Sequence, residues 1–197
     1  MRQRYMDMLY GKKDVVLKRS YEDTWGQLTH YTVRYGSDEV TREVYDSNGD
    51  GAAALLYNVD RDTVVLVRQW RITAQLKGVD DGWILEVPAG LLDDDQPDVA
   101  MIRELEEETG YRAVDLSHVA TVFASPGAHL EQVHLYYGRV TDAMKVGPGG
   151  GLASEHEEIE VVEIPADSIS QMLADGKVTD AKTLILLQHF MLLQGLD

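Results

Sequence analysis

Cysteine is absent from the 197-residue chain. Disulfides, thiolate metal centres and a cysteine nucleophile are therefore excluded. Positive charge is scarce. Eighteen Lys and Arg stand against 34 Asp and Glu, a formal net charge of −16. A surface of that sign repels nucleic-acid phosphates, so no nucleic-acid partner is expected. Long hydrophobic runs are missing as well. The most apolar stretch, Thr183 to Leu193, is short and interrupted by Gln188 and His189, so no membrane association is expected. The opening residues, MRQRYMDMLYGKK, lack the apolar segment of a signal peptide. These absences point to a cytoplasmic protein.

Other chemistries fail on their spacing. No Walker A sequence is present, and the glycines from 147 to 151 open no convincing helix, so a dinucleotide fingerprint is not supported. In His156-Glu157-Glu158 the position where a zinc protease needs its second histidine, 160, is Glu. Asp46-x-Asn48-x-Asp50-Gly51 copies the start of a calcium loop, but its twelfth position is Tyr57 where a bidentate Glu is required. His118, His129, His134 and His189 show no ligand spacing and read as structural.

What is present is the composition of a folded globular protein, 44% hydrophobic and 26% charged. The first ~45 residues read as three β-strands, 14–21, 26–35 and 39–45, rich in Val, Thr and Tyr. A polar break, Asp46 to Gly51, follows. It divides the chain into an N-terminal β subdomain, residues 1–48, and a larger domain, residues 49–197. Further strands are expected at 52–57, 63–70, 83–87, 114–124, 132–140 and 159–164. Helices are expected at 97–109, 166–174 and 180–193, and Gly147 to Gly151 reads as a flexible loop. Strands and helices mix without regular alternation, which indicates an α+β fold or a mixed sheet sandwiched by helices.

The helix at 97–109 is the informative segment. Pro97 suits a first turn, and Gly110 suits the left-handed residue that ends a helix. At about 100° per residue, Glu104, Glu107 and Glu108 share one face, while Ile102 and Leu105 face the core. Like charges at these spacings repel. They also lie near the negative end of the helix dipole. A hard divalent cation such as Mg²⁺ reverses both penalties and takes oxygen ligands. Arg103 is placed to orient a carboxylate.

The surroundings carry a resemblance. Gly90-Leu91-Leu92-Asp93-Asp94-Asp95-Gln96, followed by Arg103-Glu104-Leu105-Glu106-Glu107-Glu108-Thr109-Gly110-Tyr111, resembles the Nudix box, G-x5-E-x7-R-E-U-x-E-E-x-G-U, where U is aliphatic. The glycine-to-arginine spacing is one residue short, Gln96 stands at the first glutamate position, and Tyr111 replaces an aliphatic residue. Arg42-Glu43-Val44-Tyr45, Val67-Arg68-Gln69-Trp70-Arg71, Glu86-Val87-Pro88-Ala89-Gly90, Ser125-Pro126-Gly127 and Glu155-His156-Glu157-Glu158-Ile159 are similar to the nucleoside-diphosphate-sugar branch of that superfamily. That branch includes ADP-ribose and GDP-mannose pyrophosphatases.

The resemblance implies an α/β/α sandwich around a mixed sheet, preceded by a small antiparallel β subdomain often exchanged across a homodimer. It implies hydrolysis of a nucleoside diphosphate sugar, a small-molecule substrate, to a nucleoside monophosphate and a sugar phosphate. A non-catalytic nucleotide-sugar-sensing module on the same fold is the alternative. The implied cofactor is Mg²⁺, with Mn²⁺ as the alternative ion. Glu104, Glu107 and Glu108 would be the helix ligands, with Glu86 and the Ala89 carbonyl on the facing strand end. The base would come from Glu155 or Glu157, and Glu155 is slightly favoured. Arg71 is the best phosphate-binding cation, because a guanidinium pairs bidentately with phosphate oxygens. Arg68 is the second candidate. Arg42 and Glu43 match a pair that reaches the partner's nucleotide in related dimers, and Glu131 joins the expected substrate contacts. Gly90, Arg103 and Gly110 complete the motif.

Overall fold

The computed structural model describes residues 14–22, 26–47, 49–92, 95–152 and 157–195, the first of these segments as backbone alone. Glu155 lies outside the described residues. The chain divides into two compact units, Met1–Gly49 with Phe123–Glu131, and Asp50–Val122 with Gln132–Asp197.

In the first unit, β1 (Asp14–Glu22), β2 (Gln27–Tyr35) and β3 (Asp38–Asp46) form an antiparallel sheet in that order. Gly36, at φ 66°, makes the tight β2–β3 turn that a side chain would strain. The segment Phe123–Glu131 docks on the end of β3. Tyr45 N–H donates to the Ala128 carbonyl at 2.7 Å, and Leu130 N–H donates to the Tyr45 carbonyl at 2.9 Å.

The second unit holds a seven-stranded mixed sheet. Its strands are β4 (Gly51–Asn58), β5 (Thr63–Trp70), β6 (Trp83–Glu86), β7 (Ala89–Leu91), β8 (Leu116–Phe123), β9 (Gln132–Val140) and β10 (Ile159–Pro165). The path is β10-β5-β4-β9-β8, with β6 added to β5 and β7 to β4. β4 runs parallel to β9, whereas β5 pairs antiparallel with β10, β4 and β6. The helices are α1 (Ile72–Leu76), α2 (Pro97–Thr109), α3 (Ile169–Ala174) and α4 (Ala181–Gln194).

The period-two alternation of side chains along the strands builds one core on each face. Ala53 and Leu55 of β4, Val64 and Leu66 of β5, and Leu135 of β9 pack with Ile169 of α3 and Leu186, Leu187 and Phe190 of α4. Their neighbours Ala52, Ala54, Leu56, Val65 and Tyr136 pack with Met101 and Leu105 of α2. Each fully buried leucine contributes about 1.5–3 kcal/mol. The result is the expected α/β/α sandwich. Among the described residues no helix is long and apolar enough to cross a membrane.

β4 and β5 pair only near their hairpin, from Leu56 with Val65 to Asn58 with Thr63. Beyond that they separate. β5 takes β6 as its partner and β4 takes β7. The corner Val87-Pro88 enters the fork, where the Ala54 N–H donates to the Pro88 carbonyl at 3.1 Å. This fork is where α2 approaches from one face and the start of α4 from the other.

Strands β5 and β9 and helix α2 have the bounds expected from the sequence. α1 and β7, of five and three residues, were not expected, because segments so short carry no readable periodicity. The helix expected at 166–174 begins as a 3₁₀ turn, Ala166–Ser168, and becomes α-helical at Ile169.

Candidate active site

α2 starts at Pro97, whose missing N–H costs nothing in the first turn, with Asp98 adding favourable charge there. The residue before it, Gln96, makes no side-chain cap bond. The helix ends at Gly110, at φ 76°, whose N–H donates to the Glu106 carbonyl. Between these stops the helix lays its acidic face across β7. A Cβ at Gly90 would lie 2.3 Å from the Glu104 carboxyl carbon, so a side chain there would displace that carboxylate.

The three carboxylates differ in environment. Arg103 spans two of them, with Nη2 3.0 Å from Glu104 Oε1 and Nη1 3.3 Å from Glu107 Oε2. Glu108 is buried, at 3% exposure. Its Oε2 accepts a hydrogen bond from the Ala89 N–H at 3.1 Å. Burial is the largest influence and pushes its carboxyl up to about 8; the Ala89 N–H opposes it, the charges of Glu157 and Glu104 add to the rise, and Arg71 pulls weakly the other way.

Beside this face lies a compensated cluster. Glu86, also 3% exposed, accepts from Arg71 Nε at 2.7 Å and Nη2 at 3.1 Å. It also accepts from Lys182 Nζ at 2.7 Å. Burial alone would raise the Glu86 carboxyl, but the two cations hold it below the ordinary carboxylate range. Burial likewise opposes the charge on Arg71 and Lys182, yet Glu86 keeps both raised. Lys182 also reaches Asp180 at 2.8 Å. Asp180 caps α4 by accepting from the Thr183 N–H at 2.9 Å. The Thr183 hydroxyl in turn accepts from the Val87 N–H at 2.7 Å. The start of α4 is thereby pinned to the fork.

The structure brings Glu104, Glu107, Glu108, Ala89, Glu86, Arg71 and Glu157 into one region of the second unit. Arg68 is not among them. It lies 3.0 Å from Asp80 and 3.6 Å from Glu160. Arg42, Glu43 and Glu131 belong to the first unit. Arg42 stacks over the Tyr35 ring at 5.8 Å, and Glu43 lies 3.4 Å from His30 across the β2–β3 ladder. Lys182 was not expected. The available signal was a lysine in the first turn of a helix, where the dipole disfavours a cation.

The donor set fits a hard divalent cation in type and charge. Glu108 is a buried carboxylate in a negative field, and such a group is costly without a countercharge. Among the described residues no three acidic or histidine side chains converge tightly enough to hold an ion as they stand. Arg103 ties Glu104 and Glu107 together.

Residues 47–187 match the model of the NUDIX domain. The chain belongs to the NUDIX family. It is 42% identical over 182 residues to the GDP-mannose pyrophosphatase of Cronobacter sakazakii, covering 91% of this chain and 93% of that one. It is 38% identical over 179 residues to the GDP-mannose pyrophosphatase of Salmonella typhimurium, covering 90% and 92%. The fold matches a crystal structure of an ADP compounds hydrolase with a TM-score of 0.73, at 17% identity and over 93% of this chain and 96% of that one.

The NUDIX box of this chain departs from the usual pattern at Tyr111, and the structure accommodates the change. The Tyr111 ring is fully buried in the core beneath α2. Its hydroxyl accepts from Asn58 Nδ2 at 3.0 Å and donates to Glu163 Oε1 at 3.0 Å. The aromatic body serves as the aliphatic residue would, and its polar tip is satisfied.

Proposed function

We propose that the protein hydrolyses the pyrophosphate bond of a nucleoside diphosphate sugar, GDP-mannose or ADP-ribose, giving a nucleoside monophosphate and a sugar phosphate. The reading rests above all on Glu108, a buried carboxylate left without a full countercharge between Glu104 and Glu157. The similarity to GDP-mannose pyrophosphatases over nine-tenths of the chain supports this substrate class.

Glu104, Glu107 and Glu108 would hold Mg²⁺ or Mn²⁺, with the Ala89 carbonyl beside them. A divalent cation there neutralises phosphate oxygens and makes water a better nucleophile. Arg71 binds the diphosphate. Its bonds to Glu86 use Nε and Nη2, which leaves Nη1 for a phosphate oxygen. Glu86 acts through Arg71 and Lys182, keeping both cations aimed. Water attacks one phosphorus, and the bond to the bridging oxygen breaks. Glu157 takes the water proton. Of the two loop candidates Glu157 is supported by its proximity to Glu108.

The β1–β3 unit is exchanged across a homodimer in this reading, with Arg42, Glu43 and Glu131 contacting the nucleotide. A cytoplasmic location fits that substrate. The test is release of nucleoside monophosphate from GDP-mannose and from ADP-ribose with Mg²⁺. Release from at least one is expected, and release from neither contradicts the reading.

A further inference from the structure

The glycine run after β9 was expected to be a flexible loop. Its backbone is instead bonded to the end of α2. The N–H groups of Val146 and Gly147 donate to the Gly110 carbonyl at 2.8 and 3.3 Å. The Gly150 N–H donates to the Glu108 carbonyl at 2.8 Å, and the Gly151 N–H to the Glu107 carbonyl at 3.2 Å. The last carbonyls of a helix have no partner within it, and this strap supplies them.

Glycine is required here for two separate reasons. Gly149, Gly150 and Gly151 sit at φ 70°, 110° and 74°, in the region side chains disfavour. The contacts also leave no room at Gly149, and at Gly151 a side chain would push on Glu157. A Cβ on Gly149 would lie 2.5 Å from the Glu108 carbonyl oxygen, and one on Gly151 would lie 2.5 Å from Glu157 Oε2. The strap then holds Glu157 directly. The Leu152 N–H donates to Glu157 Oε2 at 3.0 Å. Glu157 is thus tied to a segment bonded to the backbone of Glu107 and Glu108, whose side chains form the acidic face.

We propose that Gly149, Gly150 and Gly151 are positioning residues that fix Glu157 at a set spacing from the α2 carboxylates before substrate arrives. The inference rests on the proposed role of Glu157. A loose segment would lose backbone entropy each time it ordered Glu157, whereas the docked strap has it in place.

The test compares Gly151→Ala with Gly176→Ala. Gly176 has the same left-handed backbone, φ 66°, but nothing within 4 Å of an added Cβ. With whichever of GDP-mannose and ADP-ribose wild type cleaves, and Mg²⁺, Gly151→Ala is expected to lower kcat by about 100-fold, the scale of a misplacement near 1 Å, with KM little changed. Gly176→Ala is expected to match wild type. In a Glu157→Gln background the Gly151→Ala loss should vanish, because both changes act on one group. An undiminished loss there, or near-normal kcat in the single variant, overturns the proposal.

Should Gly151→Ala fail to fold, amide exchange on the wild-type, metal-free protein still decides. The Gly150 and Gly151 amides should be protected like the last turn of α2. Exchange at the rate of an unstructured chain overturns the proposal. If wild type releases no nucleotide from either sugar, the functional reading fails, and amide exchange judges the docking of the strap by itself.

Discussion

The Glu108→Gln substitution should stabilise the metal-free protein at alkaline pH. The wild-type carboxyl titrates at about 8 when folded, against an ordinary glutamate value of 4.5. Between these values the native state holds a proton that the unfolded chain has released, so stability falls as pH rises. The loss begins near pH 4.5 and is complete above pH 8. At about 1.4 kcal/mol per pH unit, a displacement of this size is worth on the order of 5 kcal/mol. The substituted amide does not titrate, and its oxygen keeps the bond from the Ala89 N–H. The variant should therefore match wild type at about pH 5 and exceed it at about pH 8.5 by about 10 °C in Tm, since a domain of this size shifts by about 2–4 °C per kcal/mol. Thermal unfolding with a chelator present, at those two pH values and at neutrality, measures the difference. Mg²⁺ should narrow the gap at about pH 8.5 to roughly half, because a ligand at about 100 times its Kd adds about 2.7 kcal/mol to the protein that binds it. A wild-type minus variant difference that stays constant with pH would refute the raised Glu108 carboxyl that its burial produces.

Three further outcomes follow from the site. Lys182→Met removes one of the two cations on buried Glu86 and should lower stability by about 2 kcal/mol at neutral pH. Because the Glu86 carboxyl is held low when folded, that loss should shrink on acidification as Glu86 protonates, which denaturant unfolding at neutral and at low pH would show. Tyr111→Phe strips the hydroxyl between Asn58 and Glu163 and should cost about 1–2 kcal/mol in urea unfolding, with kcat unchanged. Glu157→Gln should reduce kcat by about 10²–10⁴-fold with KM nearly constant, and an active variant would remove Glu157 from the chemistry.

Much of the fold was legible because strong local signals agreed with one another. Pro97 and Gly110 bracket α2, and β5 is marked by the continuous apolar run Val64 to Val67. The acidic face was legible for the opposite reason. Glu104, Glu107 and Glu108 break charge rules that a helix near its C-terminus ordinarily obeys. What stayed hidden depends on contacts between distant segments. Lys182 and Asp180 join the site only because Thr183 pins α4 to Val87. The docking of Phe123–Glu131 on Tyr45 is a pairing that no spacing reveals. The glycine run read as flexible because its composition is that of a flexible loop. Its rigidity comes from the carbonyls of Glu107, Glu108 and Gly110, which the chain reaches only after folding. Arg71 read as the first phosphate-binding candidate and Arg68 as the second, but Arg68 pairs with Asp80 and Glu160.

Titration of the protein with Mn²⁺, following the free-ion electron paramagnetic resonance signal, bears most directly on the acidic face of α2. Wild type should quench the signal saturably, and Glu108→Gln should quench it far less at equal concentration. Equal quenching by the two proteins would contradict the assignment of that face as the metal site.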